Sequence, residues 1–221
     1  MKLLMGIPSP RDNIAGVSHY SYGLPIDVLT VKYFKEYVAY QIIRDYFLSH
    51  DYTHLLIKGD DVIVTKKHYE QLIKDVEELN PPVISGIMNV DEDQEKDCYN
   101  ITEILPMKIG TKPVREGLQP RRVWHWIKDI SQYNNIFEVG FVGLNMTLIA
   151  RELVEKIDFF TEGRYKGRAD KDGCCIDLTF CWECKERNIP VLVDKRVLFQ
   201  HKRYAGEIMV GKKLPIVTLT K

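Results

Sequence analysis

Residues 53–64 read Thr-His-Leu-Leu-Ile-Lys-Gly-Asp-Asp-Val-Ile-Val, an apolar segment that runs directly into two adjacent carboxylates. A short apolar run of this kind is typical of a buried strand. Its abrupt end at Asp60 and Asp61 places charge where the edge of a sheet meets solvent. Open α/β sheets bind their ligands at such edges, beyond the carboxyl ends of the strands. The pattern therefore predicts a metal ion held against a phosphate at the end of this strand.

Strand-like and helix-like segments alternate on both sides of this stretch, which predicts an α/β fold with a mixed, mainly parallel sheet flanked by helices. We predict strands at 2–7, 26–31, 83–88, 139–149, 191–194 and 197–201. We predict helices at 35–48, 66–79, 150–157 and 177–187. The periodicity weakens between 89 and 135, so we expect a loop-rich excursion there, within a single domain that spans all 221 residues.

The overall charge gives no reason to expect a nucleic-acid or membrane partner. Lys+Arg and Asp+Glu both total 31, so the formal net charge is zero and any phosphate binding must be local. The first eight residues are interrupted by Gly and Pro too early for a signal peptide. No run reaches the ~18 apolar residues of a membrane span. We therefore expect a cytoplasmic protein with no membrane span, and attachment to a membrane surface stays open.

The five cysteines do not form the evenly spread pattern of a secreted disulfide scaffold. Four of them are clustered, as Cys174-Cys175 and as the Cys-x-x-Cys pair Cys181 and Cys184. Four thiols can make a tetrahedral zinc site, but adjacent Cys174 and Cys175 are poorly spaced for one, and the helical pattern explains Cys181 as a core residue. We therefore expect reduced thiols, and one internal pair stays open.

The order of the motifs resembles that of the GT-A glycosyltransferases, enzymes that move a sugar from a nucleotide diphosphate onto an acceptor. Residues 6–8 resemble the first strand and nucleotide loop of that family, and residues 52–62 resemble its Asp-x-Asp strand, followed by a strand at 83–87. Residues 142–152 resemble the acceptor-side segment, and residues 177–201 resemble the closing helix, strand and metal-binding histidine. These blocks span most of the chain, and 89–135 has no counterpart.

The resemblance implies a nucleotide-diphosphate sugar as donor and a divalent cation, Mn²⁺ or Mg²⁺, as cofactor. The residues expected to contact the nucleotide are Pro8, Ser9, Arg11, Asp60 and Asp61. Asp61 and His201 are the expected metal ligands, because Mg²⁺ and Mn²⁺ prefer oxygen ligands and Mn²⁺ also tolerates an imidazole. The cation would meet the negative charge that grows on the departing phosphate.

The resemblance also implies a general base, because the acceptor hydroxyl must lose its proton as it attacks the anomeric carbon. Asp177, at the start of a predicted helix, is the expected base. An inverting reaction fits this arrangement best, and retention stays open. The acceptor, a glycan, a protein or a lipid, cannot be read from the sequence.

Two positions depart from the family pattern. The first acid of the Asp-x-Asp signature falls at Gly59, so that Asp60 occupies the variable position and Asp61 matches the second acid. Neighbouring residues of a strand point to opposite faces, so Asp60 replaces the missing acid only if the strand has already ended. Cys174 and Cys175 stand where many relatives carry Glu-Asp.

Each candidate residue also has a structural explanation. Asp60-Asp61 can be a solvated turn, Asp177 can cap its helix, and His201 can be a hydrogen-bonded histidine at the edge of a strand. Trp124 and Trp126 can stack on a sugar, but packing of the 89–135 excursion explains them better. Arg11 can lie in a solvated loop.

Two other functions therefore remain beside the glycosyltransferase. A member of the fold that binds a nucleotide, a glycan or a protein without turnover would explain the glycine at position 59. A nucleotidyltransferase also uses paired acids at sheet ends, but this chain lacks a glycine-rich phosphate loop after its first strand. Loss of metal-dependent nucleotide binding on replacing Asp61 supports the first two functions, and sugar transfer separates them.

Overall fold

The computed structural model describes residues 1–14, 22–89, 99–103, 107–114, 117–123, 126–159, 176–202 and 206–221. The helices are α1 (Glu36–Leu48), α2 (Lys66–Leu79), α3 (Arg151–Lys156) and α4 (Ile176–Glu186). The strands are β1 (Leu3–Ser9), β2 (Ile26–Lys32), β3 (His54–Lys58), β4 (Val62–Ile63), β5 (Val83–Asn89), β6 (Ile101–Thr102), β7 (Met107–Val114), β8 (Gly117–Val123), β9 (Ile136–Val139), β10 (Phe141–Val142), β11 (Met146–Ala150), β12 (Val191–His201) and β13 (Ile216–Thr220). None of the helices in these ranges is long and apolar enough to cross a membrane.

A nine-stranded sheet forms the centre of the molecule, in the order β13-β2-β1-β3-β11-β5-β12-β4, and β9 pairs with β12. β1 is parallel to both β2 and β3, and β5 is parallel to β12. β11 enters between β3 and β5 and is antiparallel to both. The predicted fold class, a mixed α/β sheet flanked by helices in a single domain, is confirmed.

Apolar side chains on both faces of the sheet explain why its central strands read as continuous apolar runs. Alternate residues of a strand point to opposite faces. In β3, Leu55 and Ile57 join the core cluster that contains the buried residues of α1, α3 and α4, whereas Leu56 joins the cluster that contains those of α2. The strand ends of β1 and β3 are thereby fixed between two packed layers.

The predicted boundaries of β1 to β5 and of the four helices agree with the structure to within two residues, apart from the 53–64 stretch, which forms β3, a turn and β4. Two other expectations were wrong. The single strand predicted at 139–149 is three strands, because the chain bends at Gly140 and turns again at Leu144 and Asn145. The two strands predicted near the C-terminus are one strand, β12, with an irregularity between Asp194 and Leu198. Within the loop-rich stretch expected at 89–135, the structure describes an antiparallel β7–β8 pair.

Candidate functional site

The candidate site lies where the carboxyl ends of β1, β3 and β12 meet. β1 and β3 are parallel neighbours, so the Ser9 end of one strand and the turn that follows the other reach the same edge of the sheet. β12 ends beside them, because His201 pairs with Val62 in β4. Residues far apart in the sequence therefore converge at the edge where α/β sheets bind ligands.

Asp60 is a buried anchor for the loop that follows β1. Its side chain is 5 % exposed, and Nη1 of Arg11 lies 2.5 Å from its Oδ1. The hydroxyl of Ser9 donates to its Oδ2 at 3.0 Å. Burial raises the pKa of Asp60 to about 6, although Arg11, Ser9 and Lys58 favour the ionised form. Both carboxylate oxygens thus bind protein groups, so Asp60 positions Arg11 and Ser9 at the edge of the sheet.

Asp61 is more open and is paired with His201. Its side chain is 22 % exposed, and Nε2 of His201 lies 3.4 Å from its Oδ2 across 140 positions of sequence. Burial raises the pKa of Asp61, but His201 and Arg11 outweigh it, so the pKa is lower than for an ordinary aspartate. The guanidinium of Arg11 lies 3.6 Å from the same oxygen. Asp61 is therefore ionised at neutral pH and faces two basic groups.

Lys58 holds the turn that carries the two acids. Its ammonium group is buried and donates to the carbonyl oxygens of Gly59 (3.1 Å) and Val62 (3.3 Å). Burial lowers the pKa of Lys58 to about 8, although Asp60 and Asp61 oppose this change. A lysine at the end of an apolar strand would ordinarily reach solvent, so its role could not be read from the sequence.

Asp61 and His201 are suited to hold a divalent cation together. Ligand atoms about 2.1 Å from one ion and at right angles to each other are about 3 Å apart, so atoms 3.4 Å apart can bind the same ion. Within the described residues, no group of three or more His, Cys, Asp and Glu side chains is arranged to hold a metal. The protein thus offers two ligands, and phosphate and water oxygens would have to complete the shell.

Asn145 explains the glycine at position 59. A Cβ atom on Gly59 would lie 2.6 Å from Oδ1 of Asn145 and 3.2 Å from Oδ1 of Asp61. The backbone N–H of Gly59 donates to the carbonyl of Asn145 at 3.0 Å. The amide of Asn145 therefore occupies the space into which the expected acid would project. Sequence reasoning missed Asn145, because no pattern relates the start of β11 to the end of β3.

Asp177 lies on the other side of Asn145, as the second residue of α4. One carboxylate oxygen accepts a hydrogen bond from the N–H of Leu178 at 2.8 Å, a contact within the first turn of the helix. The other, Oδ2, points toward Gly143, beside Asn145. The side chain is half-buried. The structure thus brings Asp177 to the same edge as Asp61. The position of Asp177 is compatible with both helix capping and proton transfer.

Glu36 is a further acid at this edge that sequence reasoning missed. It is the first residue of α1. Burial of the carboxyl group, followed by the charges of Asp177, Asp60 and Asp61, raises the pKa of Glu36 to about 7. The residue as a whole is nevertheless exposed, so solvent screens part of this effect. Glu36 follows the carboxyl end of β2, and ligands bind beyond the carboxyl ends of parallel strands. Its position in the sequence could therefore have identified it.

The remaining candidates are structural or lie outside the described residues. Trp126 packs against Phe141 at a ring distance of 6.2 Å, as the packing explanation predicts. Cys181 and Cys184 carry thiols that are buried in the core, and burial raises the pKa of Cys184 to about 12. The predictions for Trp124 and for Cys174-Cys175 fall outside the described ranges. A cavity of about 660 Å³ is lined by α4 and β9 and includes none of the site residues.

No protein-family model matches this chain, and no curated protein matches its sequence. Among solved structures, the crystal structure of A197 from STIV matches 98 % of this chain and 94 % of its own, with a TM-score of 0.61 and 18 % identity. The chain has the fold of A197. The inositol-1-phosphate CTP transferase from T. maritima is similar over 91 % of this chain and 70 % of its own, with 12 % identity and a TM-score of 0.42.

Proposed function

We propose that this protein is a metal-dependent glycosyltransferase of the GT-A type, which moves a sugar from a nucleotide diphosphate to a hydroxyl acceptor. The observation that supports the proposal best is the pairing of Asp61 with His201 at 3.4 Å, at the same sheet edge as Asp177. One side of the site thus offers a carboxylate and an imidazole for Mn²⁺ or Mg²⁺, and the other side offers a carboxylate for a proton.

In this proposal Asp61 and His201 hold the cation, which would stabilise the negative charge on the departing nucleoside diphosphate. Arg11 adds a fixed positive charge, because Asp60 and Ser9 hold its loop in place. Pro8 and Ser9 are the last two residues of β1 and lie at the same edge of the sheet. In this proposal they contact the nucleotide. These residues therefore bind and orient the donor.

Asp177 accepts the proton of the acceptor. The acceptor oxygen forms a bond to the anomeric carbon, the bond from that carbon to the phosphate oxygen breaks, and the nucleoside diphosphate leaves with the bonding electrons. Attack opposite the leaving group inverts the anomeric centre.

A nucleotide-binding protein without turnover is the second candidate. Gly59 stands where the first acid of the Asp-x-Asp signature ordinarily lies, and a side chain at this position would require the Asn145 amide to move. The guanidinium of Arg11 already neutralises part of the charge of Asp60 and Asp61. This arrangement can hold a diphosphate without activating it.

The test is a screen of UDP-, GDP- and dTDP-sugars with and without Mn²⁺, in which release of the nucleoside diphosphate is measured. We expect Mn²⁺-dependent release that falls at least about 100-fold in Asp61→Ala and in His201→Ala, because each loses a metal ligand. Asp51→Ala, which removes an exposed acid near the amino end of β3, is the matched control and should retain full activity.

The outcomes separate the candidates. Release that is insensitive to a chelator and to Asp61→Ala contradicts the metal assignment. Mn²⁺-dependent binding of a nucleoside diphosphate without release supports the second candidate. Absence of both binding and release with every donor contradicts both candidates.

A further inference from the structure

Two buried aspartates share one arginine between α2 and β12. Asp75 of α2 is 1 % exposed, and Asp194 of β12 is fully buried. Nη2 of Arg196 lies 2.9 Å from Oδ1 of Asp75 and 2.8 Å from Oδ2 of Asp194. If both acids were ionised, this group would carry one uncompensated negative charge, which destabilises the interior of a protein. We call the two acids the Asp75–Asp194 pair.

The hydrogen bonds indicate which oxygen of the pair can carry a proton. Both oxygens of Asp194 accept from Arg196, at 2.8 to 3.0 Å. Oδ1 of Asp75 accepts from Nη2 of Arg196 at 2.9 Å and from Nε2 of Gln71 at 2.8 Å. Oδ2 of Asp75 is buried and accepts no hydrogen bond from any described residue. Oδ2 is therefore the oxygen of the pair that can be protonated without loss of a hydrogen bond.

A proton on Oδ2 of Asp75 would also have a partner. Burial, followed by a side-chain hydrogen bond to Asp194, raises the pKa of Asp75 to about 6, although Gln71 and Arg196 favour the ionised form. An ionised carboxylate only accepts hydrogen bonds, whereas a protonated one also donates one. Since buried polar atoms nearly always have a hydrogen-bond partner, the geometry indicates a carboxylic acid that donates to a carboxylate.

The charged groups that act on the pair come from α2 and β12. Asp194 and Arg196 face Asp75 from β12, and the charge of Glu78, on α2, acts on Arg196. β5, which also packs against α2, has no charged residue along its length. Arg196 therefore balances one of the two acids, and the second is neutral only while Asp75 is protonated.

The pair joins two elements that meet again at the candidate site. β12 runs from Asp194, through the irregularity that ends at Leu198, to His201, which pairs with Val62 of β4. β4 in turn leads directly into α2. The packing of α2 on β12 is therefore connected at both ends to the place where His201 faces Asp61.

We propose that the Asp75–Asp194 pair is a pH-sensitive clamp that holds β12 on α2 and thereby positions His201. In acid, protonated Asp75 donates to Asp194 and the two elements are held together. As the pH rises, the proton of Asp75 passes to solvent, the two carboxylates repel each other, and β12 packs less tightly on α2 as far as His201. The inference requires no ligand, so it stands or fails independently of the proposed function.

Carboxyl carbon NMR between about pH 3 and 8 tests the proton itself. Asp75 should titrate near pH 6 and not near 3.8, and Asp75→Asn should remove this transition. The amide of the asparagine can donate to Asp194 as the proton does. Asp60, which has a similar pKa, should still titrate in the variant and is the internal reference. Titration of Asp75 near 3.8 would overturn the inference.

Urea denaturation over the same pH range tests the effect on stability. A carboxyl group whose pKa is raised on folding stabilises the protein at low pH and loses this contribution as the pH rises through the folded pKa. The unfolding constant of the wild type relative to that of Asp75→Asn should therefore rise about tenfold or more between pH 4 and 7. Glu77→Gln changes an exposed acid of the same helix and should follow the wild type. A constant ratio would mean that Asp75 is ionised throughout, with water on Oδ2, and would overturn the inference.

Amide hydrogen exchange tests the connection to the candidate site. After correction for intrinsic rates, residues 62–66 and 194–201 of the wild type should lose protection between about pH 5 and 7.5, and Asp75→Asn should retain it. Unchanged protection at 198–201 in the wild type would overturn the clamp even if Asp75 titrates as expected. If Asp75→Asn does not fold, Arg196→Gln takes its place, because loss of the cation should move the Asp75 transition to higher pH. An unmoved transition would contradict the pair.

Discussion

A pair of clusters among the described residues each contain two aspartates and one arginine, but only one of them has an aspartate that is partly exposed to solvent. The first, at the edge of the sheet, is Asp60 and Asp61 with Arg11. The second lies between α2 and β12, where Nη2 of Arg196 lies 2.9 Å from Oδ1 of Asp75 and 2.8 Å from Oδ2 of Asp194. The difference between the two clusters is the difference between a structural group of charges and a candidate site.

The α2–β12 cluster holds the backbone. Asp194 is fully buried, and its Oδ1 accepts hydrogen bonds from both the backbone N–H and Nε of Arg196, at 2.8 and 2.9 Å. These contacts lie in the irregular part of β12, between Asp194 and Leu198. The same strand continues to His201, so the buried cluster fixes the path that brings the histidine to Asp61.

In the cluster at the sheet edge, the two acids differ in their exposure and in their partners. Asp60 binds Arg11 and Ser9 in the manner of the buried cluster, whereas Asp61 keeps a partly exposed carboxylate beside an imidazole. Perturbed pKa values do not separate the two groups, because burial raises the pKa of Asp60 and of Asp75 to about 6 alike. What distinguishes the candidate site is an ionised oxygen that an incoming ligand can reach.

The largest expected effect comes from breaking the buried cluster. Asp194→Ala leaves Arg196 and Asp75 without their shared partner, and it should lower the free energy of unfolding by about 3–5 kcal/mol. Asp61→Ala, at a partly exposed position, should lower it by less than about 1 kcal/mol. Urea denaturation followed by circular dichroism measures both. Equal losses would mean that the two clusters do not differ as described.

Replacing Arg11 tests the cluster at the sheet edge, with a smaller effect. Arg11→Gln removes the positive charge 3.6 Å from Asp61, so the affinity for Mn²⁺ without nucleotide should rise about tenfold. Arg11→Lys keeps the charge and is the matched control, with affinity near that of the wild type. Electron paramagnetic resonance of free Mn²⁺ measures the affinity. Weaker Mn²⁺ binding in Arg11→Gln would show that Arg11 supports the cation site instead of competing with it.

The sequence predicted the regular parts of the fold well because their signals are local. Periodic apolar residues such as Tyr69, Leu72 and Val76 identify α2, and Asn80 ends it in a left-handed conformation (φ 46°). Strand β13 was missed because it is an edge strand whose residues are mostly exposed, so burial gives it no pattern. β12 was divided because Lys195 and Arg196 interrupt its apolar residues, although Arg196 binds buried acids.

The site could be predicted only in part, for a related reason. Asp60, Asp61, Asp177 and His201 follow or begin regular elements, and the structure brings all four to one edge. Asn145 could not be found, because its place beside Gly59 depends on the register of β11 with β3. Asp60 and Asp61 are adjacent, but they have different roles. This difference depends on the loop after β1, which binds Asp60, and could not be predicted from the two residues themselves.

The smallest expected effect concerns Glu36, whose pKa links the helix α1 start to the charges of the site. Its pKa rises from 4.5 to about 7 on folding, so its stabilising contribution is complete below pH 4.5 and is lost as the pH rises through 7. Glu36→Gln cannot ionise and should escape this loss. The residue is exposed, so screening reduces the difference to about 1 kcal/mol or less.

Unfolding of wild type and Glu36→Gln by urea at several pH values between 4 and 8 measures this difference. The stability of the variant relative to the wild type should increase from pH 4.5 to 7 and change little above it. The charge of Asp61 contributes to the high pKa of Glu36, so Asp61→Asn should shift the rise to lower pH. Asp194→Asn, in the buried cluster, is the matched control. It should leave the pH at which this rise occurs unchanged. A shift of equal size in both variants would mean that Glu36 senses overall charge and not the acids at the sheet edge.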